Sequence, residues 1–212
     1  MENIEITKEF IKSITSENEK KKILSLCSNY LQRFGISFPD HRKKQPVEIE
    51  RKYRLNEPAV FLKSLDGKHI GDVLEPEVVW LGKTDLKQGY IRKGDVEVRI
   101  RKSAEKNYYF TVKCGLGIVR EENEVSIPKE TFDLLWIYSE GSRIGKNRYD
   151  IEYRTQKFEV DQYYLCKEKD LITFDLELEN ENQVIQLPSL FIQAKATDIS
   201  GSKSLSNQNL SL

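Results

Sequence analysis

The chain has few of the residues that build the common metal and nucleophilic centres. Its 212 residues include two histidines, His41 and His69, and three cysteines, Cys27, Cys114 and Cys166. Two histidines in turn-like segments argue against a histidine-based zinc site and against a Ser/His triad. The cysteines are far apart and form no CxxC pair, which predicts reduced thiols rather than disulfides.

Long apolar runs and an excess of one charge sign are also missing. No apolar stretch approaches the roughly 20 residues that a membrane-spanning helix needs. The segment from Met1 to Ile6 has neither the basic start nor the apolar run of a signal peptide, so we expect a cytoplasmic protein with no membrane partner. Basic and acidic residues number 34 each, so bulk electrostatic binding to nucleic acid is not predicted.

The first 45 residues differ in pattern from the rest of the chain. Their apolar residues recur at three- and four-residue spacing in two sets: Ile6, Phe10 and Ile14, then Ile23, Leu26, Cys27, Tyr30, Leu31 and Phe34. This spacing predicts two amphipathic helices. Ser16 and Glu19 match a capping box ahead of the second helix, Gly35 fits its C-terminal stop, and a polar linker follows at 40–45.

The predicted domain division places an N-terminal helical extension at 1–45 and the main domain at 46–212. An amphipathic helix usually packs its apolar stripe on the body of its own protein. We therefore expect the two helices to cover the outside of the main domain. The alternative is that they form a homodimer or bind a protein partner.

From Val47 onward the chain reads as strands separated by turns. Val, Ile, Tyr, Phe and Thr alternate with charged residues in nine segments: 47–55, 77–82, 87–93, 95–103, 106–114, 118–127, 143–153, 156–164 and 171–179. Two short helices are predicted near 57–65 and 128–138. Many antiparallel strands with regular turns favour a closed β-barrel, which leaves no sheet edge exposed.

Charged side chains follow a spacing of two in most of these strands. Glu48, Glu50 and Lys52 project to one side, because successive side chains of a strand alternate faces. The pattern recurs in later segments: Glu97, Arg99 and Arg101; Lys113; Arg120, Glu122 and Glu124; Lys146 and Arg148; Glu159 and Asp161; Asp175, Glu177 and Glu179. The opposite face of nearly every strand is largely apolar.

Two orientations of the barrel are compatible with this alternation. An apolar interior with a polar outside would be ordinary for any single strand. The predicted helices, however, need an apolar surface to cover, which favours apolar faces pointing outward and charges pointing inward. A charged interior in turn implies a ligand, because buried charges without one usually lose against apolar packing.

The residue types indicate what that ligand is. Clustered carboxylates such as Glu48, Glu50, Glu177 and Glu179 repel one another unless a hard divalent cation lies among them, and oxygen ligands suit Mg²⁺ or Mn²⁺ better than zinc. Cations on the same face suit a compact polyanion, since arginine contacts phosphate oxygens in a bidentate manner. These cations are Lys52, Arg99, Arg101, Lys113 and Arg148. The combination is typical of phosphoryl transfer.

The motif Glu48-Ile-Glu-Arg-Lys52 resembles the ExExK signature of the CYTH superfamily, the triphosphate tunnel metalloenzymes. The resemblance runs from residue 47 to about residue 207, and Gln88-Gly89-Tyr90 is similar to the QGY segment of the bacterial inorganic tripolyphosphatase branch. The later charged motifs follow in family order. The segment from Asp198 to Asn207 resembles the family's terminal segment more loosely.

The resemblance implies an α+β, mainly β fold: a closed eight-stranded antiparallel tunnel with helices packed outside, which holds a triphosphate end-on and depends on a divalent metal. It assigns the metal to Glu48, Glu50, Asp175, Glu177 and Glu179. It assigns the substrate to Lys52, Arg99, Arg101, Lys113, Arg120, Lys146, Arg148 and Lys203. The catalytic positions it implies are Glu48, Glu50, Lys52, Glu122, Glu124, Glu159 and Asp161, the last four orienting water, pairing with basic residues or holding a second ion.

The predicted function is therefore Mg²⁺- or Mn²⁺-dependent hydrolysis of inorganic tripolyphosphate, with nucleoside triphosphates as further candidate substrates and RNA 5′-triphosphate ends left open. One alternative is a class IV-like adenylate cyclase that makes cyclic AMP from ATP. Another is a non-catalytic polyphosphate or nucleotide sensor, with the helical hairpin as its output element.

Overall fold

A computed structural model describes residues 2–39, 47–66, 77–104, 106–115 and 118–212. His41 and His69 lie outside these residues, as does the polar linker predicted at 40–45. The predicted boundary between residues 45 and 46 lies outside them too, so the division into an extension and a main domain stays a prediction.

The described residues form nine strands and six helices. The strands are β1 (Val47–Leu55), β2 (Val78–Arg92), β3 (Val96–Ser103), β4 (Asn107–Cys114), β5 (Val119–Ser126), β6 (Arg143–Tyr153), β7 (Gln156–Leu165), β8 (Ile172–Glu177) and β9 (Ala196–Asp198). The helices are α1 (Glu2–Ser16), α2 (Lys20–Gln32), α3 (Pro58–Asp66), α4 (Lys129–Trp136), α5 (Ser189–Gln193) and α6 (Asn207–Leu210). A 3₁₀ turn, Ile137–Ser139, continues α4.

Eight of the strands close into an antiparallel barrel, which confirms the predicted fold. Their order is β5-β4-β3-β2-β6-β7-β8-β1, and β5 pairs back onto β1, with Glu48 opposite Arg120. Beyond this short closing seam, β9 pairs with the far half of β1, where Tyr53 lies opposite Asp198. Closure pairs each strand of the barrel on both sides, so the inner face becomes the wall of an enclosed space.

The barrel turns its apolar faces outward, as the alternation and the helices together predict. On one side, α1 and α2 share a buried cluster with β3 and β4 that includes Ile14, Leu31, Ile100 and Phe110. On the other side, α3 and α5 share a second cluster with β7 and β8: Phe61, Phe191, Phe158, Val160, Phe174 and Leu176. The two larger hydrophobic clusters therefore lie between the barrel and its helices, which leaves most of the interior to charged side chains. A smaller third cluster consists of Tyr90, Ile144, Tyr163, Leu171 and Leu210.

The N-terminal hairpin forms as predicted, but its connection differs from the capping-box prediction. Ser16 is the last residue of α1 and donates to the Ser13 carbonyl, while α2 begins at Lys20. The Glu17 carboxylate instead accepts the N–H groups of Asn18 and Glu19, both at 3.0 Å. The capping box is wrong here because Ser16 still belongs to α1 and the N-cap of α2 is Glu19, whose side chain makes no capping hydrogen bond.

Tertiary packing holds this hairpin on the barrel. The rings of Phe10 and Tyr30 stack with centroids 4.1 Å apart, and Phe10 also contacts Phe110 of β4. Gly35 lies in the turn that follows α2 and has a φ of 72°, the left-handed conformation expected of a helix stop. The apolar stripes of both helices face the barrel, as predicted. A role of the hairpin in dimerisation or partner binding stays a prediction.

Within the described ranges, no helix has the length and apolar character needed to cross a membrane.

Two predicted strands, 77–82 and 87–93, are one strand in the structure. The 15-residue β2 pairs with β6 from Val78 to Gly89, with a register shift between Trp80 and Gly82. The charged residues between the two predicted segments keep the period of two and stay paired with β6. The prediction of a break was wrong because the polar stretch marks a solvent-facing strand rather than a turn.

Gly89 of β2 lies against the end of α4, and the packing there predicts a stability effect. A Cβ at this position would lie 2.6 Å from the Cβ of Ser139 and 3.1 Å from the Trp136 ring. We expect Gly89→Ala to lower the free energy of unfolding by about 1–3 kcal/mol, the usual range for overpacking. Gly82 of the same strand has nothing within 4 Å of such a Cβ.

The matched control is therefore Gly82→Ala, which should change stability by roughly 0.5 kcal/mol or less. Urea unfolding of both variants followed by circular dichroism makes the comparison. Equal destabilisation by the two substitutions would contradict the close contact at Gly89.

Candidate active site

The barrel encloses a cavity of about 630 Å³ to which all eight of its strands contribute. Most of the predicted site residues line it: Glu48, Glu50, Lys52, Arg99, Arg101, Lys113, Arg120, Glu122, Glu124, Lys146, Arg148, Glu159, Asp175, Glu177 and Lys203. The strand alternation brings all of them except Lys203 together, because each of the others lies on the inner face of a strand. Lys203 reaches the cavity from the segment that follows β9. Two predicted residues, Asp161 and Glu179, are not among the lining residues.

Asp161 lies behind the cavity wall rather than on it. Its side chain is fully buried and accepts two hydrogen bonds from the Arg148 guanidinium, each of 2.8 Å, and one from the Lys146 ammonium. These cations hold its pKa below the ordinary value although burial opposes the shift. Of the roles that the resemblance allows, pairing with basic residues is the one this geometry offers.

Glu179 lies outside the cavity, contrary to the expectation that it joins Asp175 and Glu177. Strand β8 ends at Glu177, and the backbone N–H of Glu179 bonds the Gln183 side chain at 2.8 Å in an exposed turn. The alternation predicts an inward side chain only while the strand continues, and here it has ended two residues earlier.

One wall of the cavity, from β3 to β5, carries interleaved ion pairs. Arg101 contacts both carboxylate oxygens of Glu124 at 2.7 and 2.9 Å, and Thr111 donates to the same carboxylate at 2.7 Å. Arg99 contacts Glu122 at 3.2 Å. These carboxylates hold the guanidinium groups in place on the inner surface of the barrel.

Lys113 links this wall to β1. Its ammonium lies 2.7 Å from a Glu48 oxygen and 2.6 Å from a Glu122 oxygen. Burial raises the pKa of Glu48 to about 8, and the neighbouring Glu50 and Glu122 add to the rise against the opposing Lys113 charge. For Glu122, Arg99 and Lys113 outweigh burial and lower the pKa to about 2. Glu48 and Glu122 therefore share the ammonium group of Lys113.

Glu50 lies next along β1 and is held ionised. Burial alone would raise its pKa, but Lys113, Arg120 and Lys52 together lower it to about 2. Its carboxylate is 3.4 Å from the Arg120 guanidinium. Across the β1–β8 ladder it stands directly opposite Glu177, an arrangement of like charges that is unfavourable without a cation.

The facing wall, from β6 to β8 and β1, holds a second basic group. Lys52 contacts Asp175 at 2.9 Å, and Arg148 lies 3.6 Å from the same carboxylate and also contacts Glu159. Burial and the nearby Arg148 charge lower the pKa of Lys146 to about 8 against the attraction of Asp161. Cations therefore line opposite sides of one narrow space.

Three arginines that line the cavity carry buried Nε atoms with no hydrogen-bond partner among the described residues: Arg99, Arg101 and Arg120. A buried donor without an acceptor is unfavourable by roughly 1–3 kcal/mol. The donors lie on side chains that line the cavity, so an anion held there could supply the acceptors they lack.

The C-terminal segment contributes a further set of lining residues that sequence reasoning largely missed. They are Ser200, Gly201, Ser202, Lys203, Ser206, Asn207, Gln208 and Asn209. The segment is fastened to several strands around one end of the barrel. Ile199 N–H bonds the Lys52 carbonyl at 2.8 Å, and Gln208 accepts from Gly94 N–H at 2.7 Å. Uncharged residues in a polar tail give no periodic signal, so this wall could not be read from spacing.

The chemical character of the lining is uniform. Every described residue that lines the cavity is charged, an amide, a serine or a glycine, and none is aromatic or aliphatic. A nucleobase usually needs an apolar or aromatic surface on which to stack. The described wall offers contacts to phosphate oxygens and no such surface.

The donor set fits the hard divalent cation that the resemblance implies, although no ready-made metal centre is visible. In the part of the chain that the structure describes, no three or more His, Cys, Asp and Glu side chains form a group arranged around one point. The carboxylates of Glu48, Glu50 and Glu177 are nonetheless oxygen donors that line one cavity, with Glu50 directly opposite Glu177. Oxygen donors of this kind suit Mg²⁺ or Mn²⁺.

Comparison with known proteins agrees with the fold. No protein-family model matches the sequence. The chain is 35% identical over 81 residues to a protein named inorganic triphosphatase from Nitrosomonas europaea, a match that covers 37% of this chain. It spans 53% of that relative, so the chain matches about half of the relative's length.

A solved structure supports the architecture over a longer range. The crystal structure of the inorganic triphosphatase NE1496 superposes with a TM-score of 0.50 at 25% identity, covering 78% of this chain and 94% of that one. The shared barrel, together with the ordered charged motifs on its inner face, is consistent with the CYTH superfamily of triphosphate tunnel proteins.

Proposed function

We propose that this protein is a divalent-metal-dependent triphosphatase whose preferred substrate is inorganic tripolyphosphate. The observation that carries the proposal is the wholly polar cavity, in which arginines with unpartnered Nε atoms stand among carboxylates and no aromatic side chain is described. The activity named for the Nitrosomonas europaea relative supports the same reaction class.

Binding would use the cations on both walls. Arg99, Arg101 and Arg120 lie on one side, and Lys52, Lys146 and Arg148 on the other. A triphosphate between them exchanges carboxylate partners for phosphate oxygens, and its charge is neutralised from two directions. Holding the substrate in this way orients it and removes water from its charged oxygens. Positioning and electrostatic stabilisation are the main contributions of a protein to phosphoryl transfer.

The carboxylates would divide into metal ligands and water-orienting groups. Glu48, Glu50, Asp175 and Glu177 are the residues that would hold Mg²⁺ or Mn²⁺. The bound ion supplies neutralisation of the developing charge and polarisation of the phosphoryl group. Glu122, Glu124 and Glu159 also line the cavity, where they can accept a hydrogen bond from the attacking water or keep the cations in place.

The test is a substrate panel with the full-length chain: tripolyphosphate, ATP, GTP, thiamine triphosphate and RNA 5′-triphosphate ends, each with Mg²⁺, with Mn²⁺ and with EDTA. We expect metal-dependent phosphate release with the highest kcat/KM for tripolyphosphate. Formation of cyclic AMP from ATP would favour the cyclase instead. Tight binding of tripolyphosphate without turnover would favour the sensor.

Arg101 provides a mutational test of the substrate-binding wall. Arg101→Ala removes a guanidinium that lines the cavity, and we expect KM for tripolyphosphate to rise roughly 10- to 100-fold, the usual worth of a hydrogen bond to a charged group. The control is Arg154→Ala, which removes an exposed arginine of the β6–β7 turn and should leave KM unchanged. Equal KM values for Arg101→Ala and the unmodified protein would remove Arg101 from the substrate-binding set.

A further inference from the structure

Gln88 is a buried polar side chain whose amide oxygen is not satisfied within the described part of the chain. It lies on the inner face of β2, is 1% exposed and lines the cavity. Its amide oxygen is buried and accepts no hydrogen bond from any residue that the structure describes. An unpaired buried amide is unfavourable, and most such groups in proteins are satisfied. A partner supplied by a ligand in the cavity accounts for the amide where the protein's own groups do not.

The position of Gln88 indicates which part of a ligand it would meet. In the barrel it stands directly opposite Arg101 of β3 on one side and Ile144 of β6 on the other. Ile144 belongs to a buried apolar cluster with Tyr90, Tyr163, Leu171 and Leu210. Gln88 thus lies where the charged cavity meets an apolar wall. Because directly opposed residues have Cβ atoms about 5 Å apart, an anion held by Arg101 lies within reach of the amide.

The chemistry of an amide differs from that of the charged groups around it. Lysine and arginine only donate hydrogen bonds, and an ionised carboxylate only accepts them, whereas glutamine does both. A terminal phosphoryl group carries a second proton with a pKa of about 6, so near neutral pH it offers acceptor oxygens and, in part, a P–OH donor. The amide can bond either form, since rotation about its terminal bond exchanges the NH₂ group and the oxygen.

We infer that Gln88 is a substrate-binding residue that hydrogen-bonds a phosphoryl group also held by Arg101. The inference deepens the proposed function and rests on it. The Gln88 amide would add a neutral hydrogen bond to the phosphoryl group, whereas the neighbouring cations interact mainly with its charge. Such a contact affects substrate affinity more than turnover, because it is made in the bound substrate as well as in the transition state.

The test replaces the amide by an apolar side chain of similar shape. Gln88→Met should raise KM for tripolyphosphate about tenfold or more while kcat stays within about threefold, and Tm should stay equal or rise because an unpaired buried amide is removed. Calorimetric titration of the same variant with tripolyphosphate should show the same fold-loss in affinity. Gln88→Leu serves as a second variant in case methionine packs poorly.

Gln156 is the matched control, because it is also a buried glutamine but its amide is satisfied. Its Nε2 donates to the Val184 carbonyl at 3.0 Å and its oxygen accepts from Gln186 N–H at 2.9 Å, outside the cavity. Gln156→Met should lower Tm and leave KM unchanged, the opposite of the result at Gln88.

The possible outcomes distinguish a failure of the role inferred for Gln88 from a failure of the proposed triphosphatase function. If the unmodified protein hydrolyses tripolyphosphate and Gln88→Met and Gln88→Leu keep its KM and affinity, Gln88 does not bind substrate and the inference is overturned alone. A loss of Tm at Gln88 like that at Gln156, with no change in KM, would overturn it in favour of a structural role. An unmodified protein that neither binds nor hydrolyses tripolyphosphate would overturn the proposed function and this inference together.

Discussion

We expect Glu50→Gln to lower kcat for tripolyphosphate by a factor on the order of 10²–10³, the usual effect of removing one electrostatic group from a preorganised site. Glu50 lines the cavity, stands opposite Glu177 and is held ionised near neutral pH by Lys113, Arg120 and Lys52. Glutamine keeps the size of the side chain but removes the negative charge that a divalent cation needs. Initial rates over a series of Mg²⁺ concentrations should show a lower maximum and a weaker dependence on the metal.

Glu179→Gln is the control for the same substitution outside the cavity. The resemblance gives Glu50 and Glu179 the same role, whereas the structure places Glu179 in an exposed turn after the end of β8. We therefore expect Glu179→Gln to keep the rate and the metal dependence of the unmodified protein. A loss at Glu179 that matched the loss at Glu50 would bring Glu179 back into the metal site and contradict its placement outside the cavity.

The direction in which the barrel faces could be predicted because two independent signals agree. Charges at a spacing of two allow either face to point inward, but the N-terminal helices need an apolar surface, and Ile100 and Phe110 provide it on the outside. The ends of the elements could not be predicted in this way. Pairing with β6 continues β2 through its polar middle. The first helix continues through Ser16, so the N-cap of α2 falls at Glu19 instead.

The candidate site was predictable to the extent that it is charged and lies on strands. The spacing of two places each charged side chain on the inner face of its strand, but it does not tell how deeply the side chain is buried. Glu159 and Asp161 lie on the same face of β7, yet Glu159 lines the cavity and Asp161 is buried behind its wall. Depth depends on the register of β7 against β6, where Asp161 falls opposite Arg148. The resemblance includes Gln88 in the Gln88-Gly89-Tyr90 segment but gives it no role in the site. Gln208 gave no signal, because a neutral amide in a polar tail is ordinary in any sequence.

The buried position of Asp161 makes it the residue whose loss should most affect stability. Asp161→Asn leaves the Lys146 ammonium and the Arg148 guanidinium without their shared counter-charge, in a place where Lys146 is 1% exposed. We expect the free energy of unfolding to fall by about 3–5 kcal/mol, as when one partner of a buried ion pair is removed. For a domain of this size the fall in Tm is roughly 6–20 °C, measured by differential scanning calorimetry.

An exposed ion pair gives the matched comparison, and the ligand gives a second readout. Glu77→Gln removes the carboxylate partner of Arg154 where both side chains are about half exposed, and the free energy of unfolding should fall there by about 1 kcal/mol or less.

Tripolyphosphate should raise the Tm of Asp161→Asn by more than it raises that of the unmodified protein, because Lys146 and Arg148 line the cavity and gain a missing anion from the ligand. A variant that loses as little stability as Glu77→Gln would show that the two cations do not depend on Asp161. A variant that is destabilised but gains nothing extra from tripolyphosphate would show that the ligand does not reach them.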